Sequence, residues 1–144
     1  MKIVILGAGA VGRTLASLLC KENDLVVVDH SSSELHRLEE EADIKTLLGG
    51  ASYPNILVNA GIQEADMVVA VTGSDETNIV SCLIAKVLNK SIKTIARVRE
   101  ISYLKGKTKE AMDSGEIPVD IHISPEQLIT EHIQGLIEIP GSLQ

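Results

Sequence analysis

Ile3-Val4-Ile5-Leu6-Gly7-Ala8-Gly9-Ala10-Val11-Gly12, then a helical pattern, then Leu25-Val26-Val27-Val28-Asp29, is the stretch that decides the fold. It reads as strand, G-x-G-x-x-G turn, helix, strand and acid. A glycine triplet alone is weak evidence. This one follows a charge-free strand and opens a helix, and an acid ends the next strand 17 residues beyond Gly12. That context marks a dinucleotide site. Gly7 permits the tight turn, Gly9 leaves bare backbone for a pyrophosphate, and Gly12 lets the helix close on the sheet. The first N–H groups of the helix, with its dipole, face the anion. Asp29 is placed to accept hydrogen bonds from both ribose hydroxyls. It would repel a 2′-phosphate, which favours NAD(H) over NADP(H). The competing reading is a glycine-rich turn without a ligand, and the surrounding pattern weighs against it.

Composition fits this reading. The chain has 144 residues, 44% of them hydrophobic, with no Phe and no Trp. That length suits one domain, and a core of Ile, Leu, Val and Ala suits a parallel sheet covered on both faces. A net charge of −7 without a basic block argues against nucleic acid as a partner. No apolar run approaches the roughly 20 residues of a membrane span. Met1-Lys2 leads straight into a strand with no leader pattern. Cys20 and Cys82 are isolated on helical patterns and read as reduced core thiols, and no metal-ligand spacing is evident.

Working outward, strands are expected at residues 2–6, 25–29, 44–48, 67–71, 92–98 and 119–123. Helices are expected at 10–22, 33–41, 54–60, 75–88 and 100–114, the last interrupted by Gly106 and ended by Gly115. Ser124-Pro125-Glu126-Gln127 is a capping box that opens a final helix to about Ile137. Its Ile129, Ile133, Leu136 and Ile137 form an apolar face, for the sheet or for a subunit contact. Six strands alternating with helices predict an α/β, Rossmann-like, doubly wound parallel sheet of order 3-2-1-4-5-6. Right-handed crossovers then bring the carboxyl ends of the first and fourth strands together, and a ligand crevice lies there.

Other candidates follow from that geometry. Thr72 and Gly73 end the fourth strand at the switch point. Gly73 permits close approach, and the Thr72 hydroxyl can bond a ribose or base; a simple capped strand-to-helix turn is the alternative. Asp75 and Glu76 favour a helix N-terminus and do not read as a catalytic pair. Arg97 and Arg99 stand two apart at the end of the fifth strand. Arg97 can pair with pyrophosphate or ribose, or either arginine can form a surface ion pair with Glu100 or Asp75. Tyr103 and Lys107 have the Y-x-x-x-K spacing of a proton-transfer pair, but the glycine pattern does not suit the reductases that use it. His30, beside Asp29, is a candidate for the adenosine rim, whereas His36, His122 and His132 are scattered.

These motifs together resemble one family. Gly7–Gly12 with Asp29, Ala65-Asp66-Met67, Val71-Thr72-Gly73-Ser74-Asp75-Glu76-Thr77-Asn78, Ile95-Ala96-Arg97-Val98-Arg99, Ser124-Pro125-Glu126-Gln127-Leu128 and the closing Ile137–Gln144 are similar to the N-terminal RCK/KTN domains of the proteobacterial TrkA type. The resemblance implies a regulatory NAD(H)-binding domain of a potassium uptake system, with ATP, ADP or AMP as further candidates for the same site. The implied contacts are Gly7, Ala8, Gly9, Ala10, Val11, Gly12, Asp29, Thr72, Gly73 and Arg97. Many relatives carry arginine at the position of Ala10, and alanine removes that reach toward a triphosphate. The resemblance further implies an integral-membrane, TrkH/TrkG-like potassium-translocating partner. It implies a homo-oligomer, dimer or ring, in the cytoplasm and peripheral on the inner face of the cell membrane. On this reading residues 1–144 are one domain of a longer protein, and it is not an enzyme. The rival reading is the cofactor half of a small NAD-dependent oxidoreductase. That needs a substrate domain and a proton donor, and the pattern supplies neither.

Overall fold

The computed structural model describes residues 1–124. Six parallel strands form one sheet: β1 (Lys2–Leu6), β2 (Asp24–Asp29), β3 (Lys45–Leu48), β4 (Met67–Ala70), β5 (Lys93–Arg97) and β6 (Ile121–Ile123), in the order β3-β2-β1-β4-β5-β6. The doubly wound topology is therefore the expected one. Leu6 pairs with Val28 on one side and Ala70 on the other, so the carboxyl ends of β2, β1 and β4 end level. Ala70 pairs in turn with Ala96, which brings in β5.

Helices cover both faces. α1 (Ala10–Leu19) and α2 (Ser32–Glu41) pack Leu15, Leu19, Leu35 and Leu38 against Ile3, Ile5 and Val27. On the other face α3 (Pro54–Asn59) and α4 (Asp75–Leu88) bring Leu57, Cys82 and Ala85 against Val4, Leu6 and Val68. β1 is thus buried on both sides, which is why its apolar run is unbroken rather than alternating. Each fully buried Ile or Leu stabilises the fold by about 1.5–3 kcal/mol. α5 (Gly106–Ser114) follows β5 and ends at Gly115 with φ +90°.

Most boundaries fall within one residue of expectation, and three larger differences each have a local reason. The first helix ends at Leu19 rather than near residue 22, and the Asn23 side chain donates to the Leu19 carbonyl at 3.0 Å. The expected helix over 100–114 is two elements, a 3₁₀ turn at Ile101–Leu104 and α5, divided at Lys105-Gly106, where Gly106 has φ +57°. β6 begins at Ile121 rather than 119 because side chains replace the ladder there. The Asp120 carboxylate accepts from the Thr94 N–H at 2.9 Å, and Thr94 Oγ1 donates to the Pro118 carbonyl at 2.7 Å. The final helix, from Pro125 onward, lies outside the described residues.

Asp120 also pairs with Lys86 at 2.9 Å. Partial burial pushes its carboxyl up, but the Thr94 and Lys86 hydrogen bonds and the Lys86 charge outweigh that and hold it below the usual aspartate range. The unfolded chain therefore takes up a proton here at a higher pH than the folded one. This contribution is complete above the unfolded pKa and is lost as pH falls through the folded value. Urea titrations from pH 6 to 3 should show Asp120→Asn less stable than the unaltered chain at pH 6 with a shallower acid loss, so that the two curves converge below about pH 4.

Candidate functional site

β1 delivers the glycine turn to the middle of the sheet edge. Gly7 has φ +112°, and a Cβ there would stand 2.9 Å from the Val71 carbonyl oxygen. Its N–H donates to Val28 at 2.8 Å, so the turn is tied to β2 while it grazes the exit of β4. Gly12, one turn into α1, leaves no room for a Cβ, which would collide with the Gly7 carbonyl. Gly9 is different. It is exposed, its φ of −73° suits any residue, and no atom lies within 4 Å of where its Cβ would be. That open space borders a helix N-terminus with no side-chain cap and no acid in its first turn. α2 and α4, by contrast, are capped by the Ser31 and Ser74 side chains. The first N–H groups of α1 are thus free to meet an anion, and bare backbone gives it access.

Asp29 closes this half of the crevice. Its Oδ2 accepts from the Ala8 N–H at 2.7 Å and its Oδ1 from the Ser31 N–H at 2.8 Å. The side chain is 12% exposed. Each carboxylate oxygen has a second lone pair, so a ribose diol can still be accepted. The carboxylate therefore also holds the glycine turn, a task the linear pattern does not reveal. Arg13 is a second such residue: its guanidinium reaches the Ala8 carbonyl at 3.3 Å and Glu34 at 2.7 Å, joining the turn to α2. His30 is exposed, 3.4 Å from the Asp29 carboxylate.

The β4–β5 half has opposite polarity. Arg97, 8% exposed, donates from Nη2 to the Thr72 carbonyl at 2.6 Å. Burial lowers its pKa from the ordinary arginine value, nearby Arg99 adds to this, and Asp75 opposes it. The Thr72 hydroxyl is turned inward, donating to Asn78 Oδ1 at 2.6 Å rather than standing free for a ligand. Gly73 is open, with nothing within 4 Å of a Cβ. Arg99 is exposed and separated from Arg97 in environment because β5 ends at Arg97. Asp75 makes no ion pair with either arginine. Its carboxylate accepts the backbone N–H groups of Arg99 at 3.0 Å and Glu100 at 2.8 Å.

Sheet order thus gathers Gly7–Gly12, Asp29, Thr72, Gly73 and Arg97 along one edge, from β2 across to β5. Tyr103 and Lys107 are not brought together as a helical pair: Tyr103 lies in the 3₁₀ turn and Lys107 in α5. Cys82 is fully buried, and burial, then the Asp120 charge, push its thiol up to about 12, so it is unreactive at neutral pH. Cys20 is half-buried. Among the described residues no helix is long and apolar enough to cross a membrane.

This is the fold and glycine turn of a Rossmann-like domain, and the chain belongs to the TrkA-N domain family, whose model matches residues 3–125. It is 48% identical to the Trk system potassium uptake protein TrkA of Halomonas elongata over 145 aligned positions, covering 100% of this chain and 31% of that protein. The chain spans about a third of the length of this relative. Among solved structures it is similar to the TrkA-N domain of the Escherichia coli inner membrane protein ybaL, with TM-score 0.71, 22% identity, and coverage of 95% and 96% of the two chains. It is also similar to the GsuK channel bound to NAD, with TM-score 0.69, 24% identity, and coverage of 85% of this chain and 21% of that one.

The contrast between the glycines yields a prediction. Gly9→Val should leave a folded α/β protein by circular dichroism and remove NADH binding by calorimetry, because its side chain enters open space needed by the phosphates. Gly12→Ala should lower stability by about 1–3 kcal/mol, the scale of overpacking, through its clash with the Gly7 carbonyl. A Gly9→Val chain that binds NADH normally would refute this placement.

Proposed function

We propose that the chain is a non-enzymatic, nucleotide-sensing regulatory domain of a potassium uptake system, and that its ligand is NAD(H). The observation that carries this reading is the Asp29 carboxylate beside open space at Gly9 and an uncapped helix start. The Asp29 oxygens take the adenosine ribose. The N–H groups of α1 over Gly9, Ala10, Val11 and Gly12 face the pyrophosphate. Gly73 and Arg97 line the second half, with Thr72 shaping it. ATP, ADP or AMP can enter the same first half, and Ala10 offers no cation to a triphosphate. When bound, NAD(H) acts here as an effector. It shifts an equilibrium between two arrangements by binding one better than the other.

The naming of the Halomonas elongata relative and the channel context of GsuK support the rest. The partner is an integral-membrane potassium-translocating subunit of the TrkH/TrkG kind. The chain works as a homo-oligomer, a dimer or ring, on the cytoplasmic face of the membrane, as one domain of a longer protein. The oxidoreductase reading is disfavoured because Tyr103 and Lys107 sit on separate elements.

Calorimetry tests the ligand. NADH should bind more tightly than NADPH. Asp29→Ala should weaken NADH by about 1.5–3 kcal/mol, the scale for charged hydrogen bonds, and erase the preference over NADPH. Equal binding of the two by the unaltered chain would sink the assignment of Asp29. Turnover tests the class. NADH with 2-oxo acids, aldehydes or imines should show no substrate-dependent oxidation, and oxidation that disappears in Tyr103→Phe would establish the enzyme reading instead.

A further inference from the structure

Asn78 is fully buried one turn into α4, and its side chain points back past the helix start. All four hydrogen-bonding positions of its carboxamide are used. Oδ1 accepts from the Thr72 N–H at 3.0 Å and from Thr72 Oγ1 at 2.6 Å. Nδ2 donates to the Thr72 carbonyl at 3.2 Å and to the Arg97 carbonyl at 2.9 Å. The amide orientation is forced: a flipped group would set NH₂ against the Thr72 N–H and oxygen against two carbonyls. One side chain therefore grips both peptide groups flanking Thr72 and joins the exits of β4 and β5.

That grip bears on the buried cation. Arg97 has no carboxylate in ion-pair range among the described residues. Its guanidinium is held at the crevice through the Thr72 carbonyl, which Asn78 aims. A largely buried, unneutralised guanidinium is costly unless fixed dipoles, and then an anion, meet it. The two halves of the crevice are thus built oppositely. In the first, a carboxylate on β2 holds an N–H of the β1 turn. In the second, a guanidinium on β5 holds a carbonyl of the β4 turn, and only there does a neutral amide brace the pair.

We propose that Asn78 is a positioning residue for ligands that span the crevice, and that it discriminates a dinucleotide from a mononucleotide. This rests on the nucleotide reading above. A mononucleotide held by Asp29 and the α1 N-terminus occupies the first half alone and does not depend on the β4–β5 wall. NADH extends across that wall and needs Thr72, Gly73 and Arg97 in place. Asn78→Asp keeps the size and the accepting Oδ1 but puts an oxygen in place of the donating Nδ2, so the Thr72 and Arg97 carbonyls lose their shared partner and face an acceptor instead.

The test is calorimetric titration of the 144-residue chain with NADH and with AMP. Asn78→Asp should weaken NADH by about tenfold or more, the loss expected from hydrogen bonds to a charged site. AMP affinity should stay within about twofold. Equal losses for both ligands would mean that Asn78 only supports the fold, and unchanged NADH affinity would mean that it does not position the site. Either result overturns the proposal. If Asn78→Asp does not fold by circular dichroism, Thr72→Val takes its place. It removes the hydroxyl donated to Asn78 at 2.6 Å, together with its longer 3.3 Å contacts to the Ser74 backbone, and should weaken NADH selectively, by a smaller factor; an absent or unselective effect overturns the proposal equally. An unaltered chain that binds neither ligand defeats the nucleotide reading itself. One that binds NADH but not AMP defeats this proposal alone, because the first half then does not act independently.

Discussion

The meeting of Gly7 and Gly12, backbone against backbone with no side chain between, is the constraint on which the remaining geometry depends. α1 can start immediately after β1 only because the Gly7 carbonyl occupies the volume a Gly12 side chain would need. Gly7, with φ +112°, turns the chain against Val71 and so sets the spacing between the β1 and β4 exits. A wider turn would pull the helix N-terminus away from the crevice, and its free N–H groups would face solvent. The proposed anion site is therefore a consequence of close packing, and the sheet behind it supplies the rigidity.

Two charged groups then define the ends of the proposed site. Asp29 and Arg97 each sit at the last position of a strand, and each holds a backbone group of the neighbouring turn. A carboxylate stabilised by N–H donors and a guanidinium stabilised by a carbonyl are both partly satisfied before any ligand arrives. This preorganisation reduces what binding must order. In the proposed function, a ligand touching Asp29 would act on the β1 turn, and one reaching Arg97 would act on the β4 turn, whose Asp75 holds the backbone of Arg99 and Glu100. For the proposed regulatory role such connections matter, because an effector works only through contacts that differ between two states.

Enzyme and sensor readings share the same first half of the fold, so the glycine turn cannot separate them. Separation comes from Tyr103 and Lys107. Their spacing suggests a proton-transfer pair on one helix, but Gly106 takes a positive φ and divides the segment between a 3₁₀ turn and α5. The spacing has no shared face on which to act. The family model and the potassium uptake relative support the sensor side of the proposed function.

The strand–glycine–helix–strand–acid pattern determined the fold class, the strand order and the positions of Gly7, Gly9, Gly12 and Asp29, because those depend on local periodicity and on backbone freedom written at single positions. Residues whose roles arise from long-range hydrogen bonds were decided only by tertiary structure. Asn78 looks like an ordinary helix residue until Thr72 and Arg97 are folded against it, and Arg13 looks like a surface cation until α2 brings Glu34 to it. The Thr72 hydroxyl, legible as a ligand contact, turned inward because a buried amide beside it needed a donor. β6 likewise lost two residues to a side-chain pairing between Thr94 and Asp120, 26 positions apart, a separation that no local pattern records.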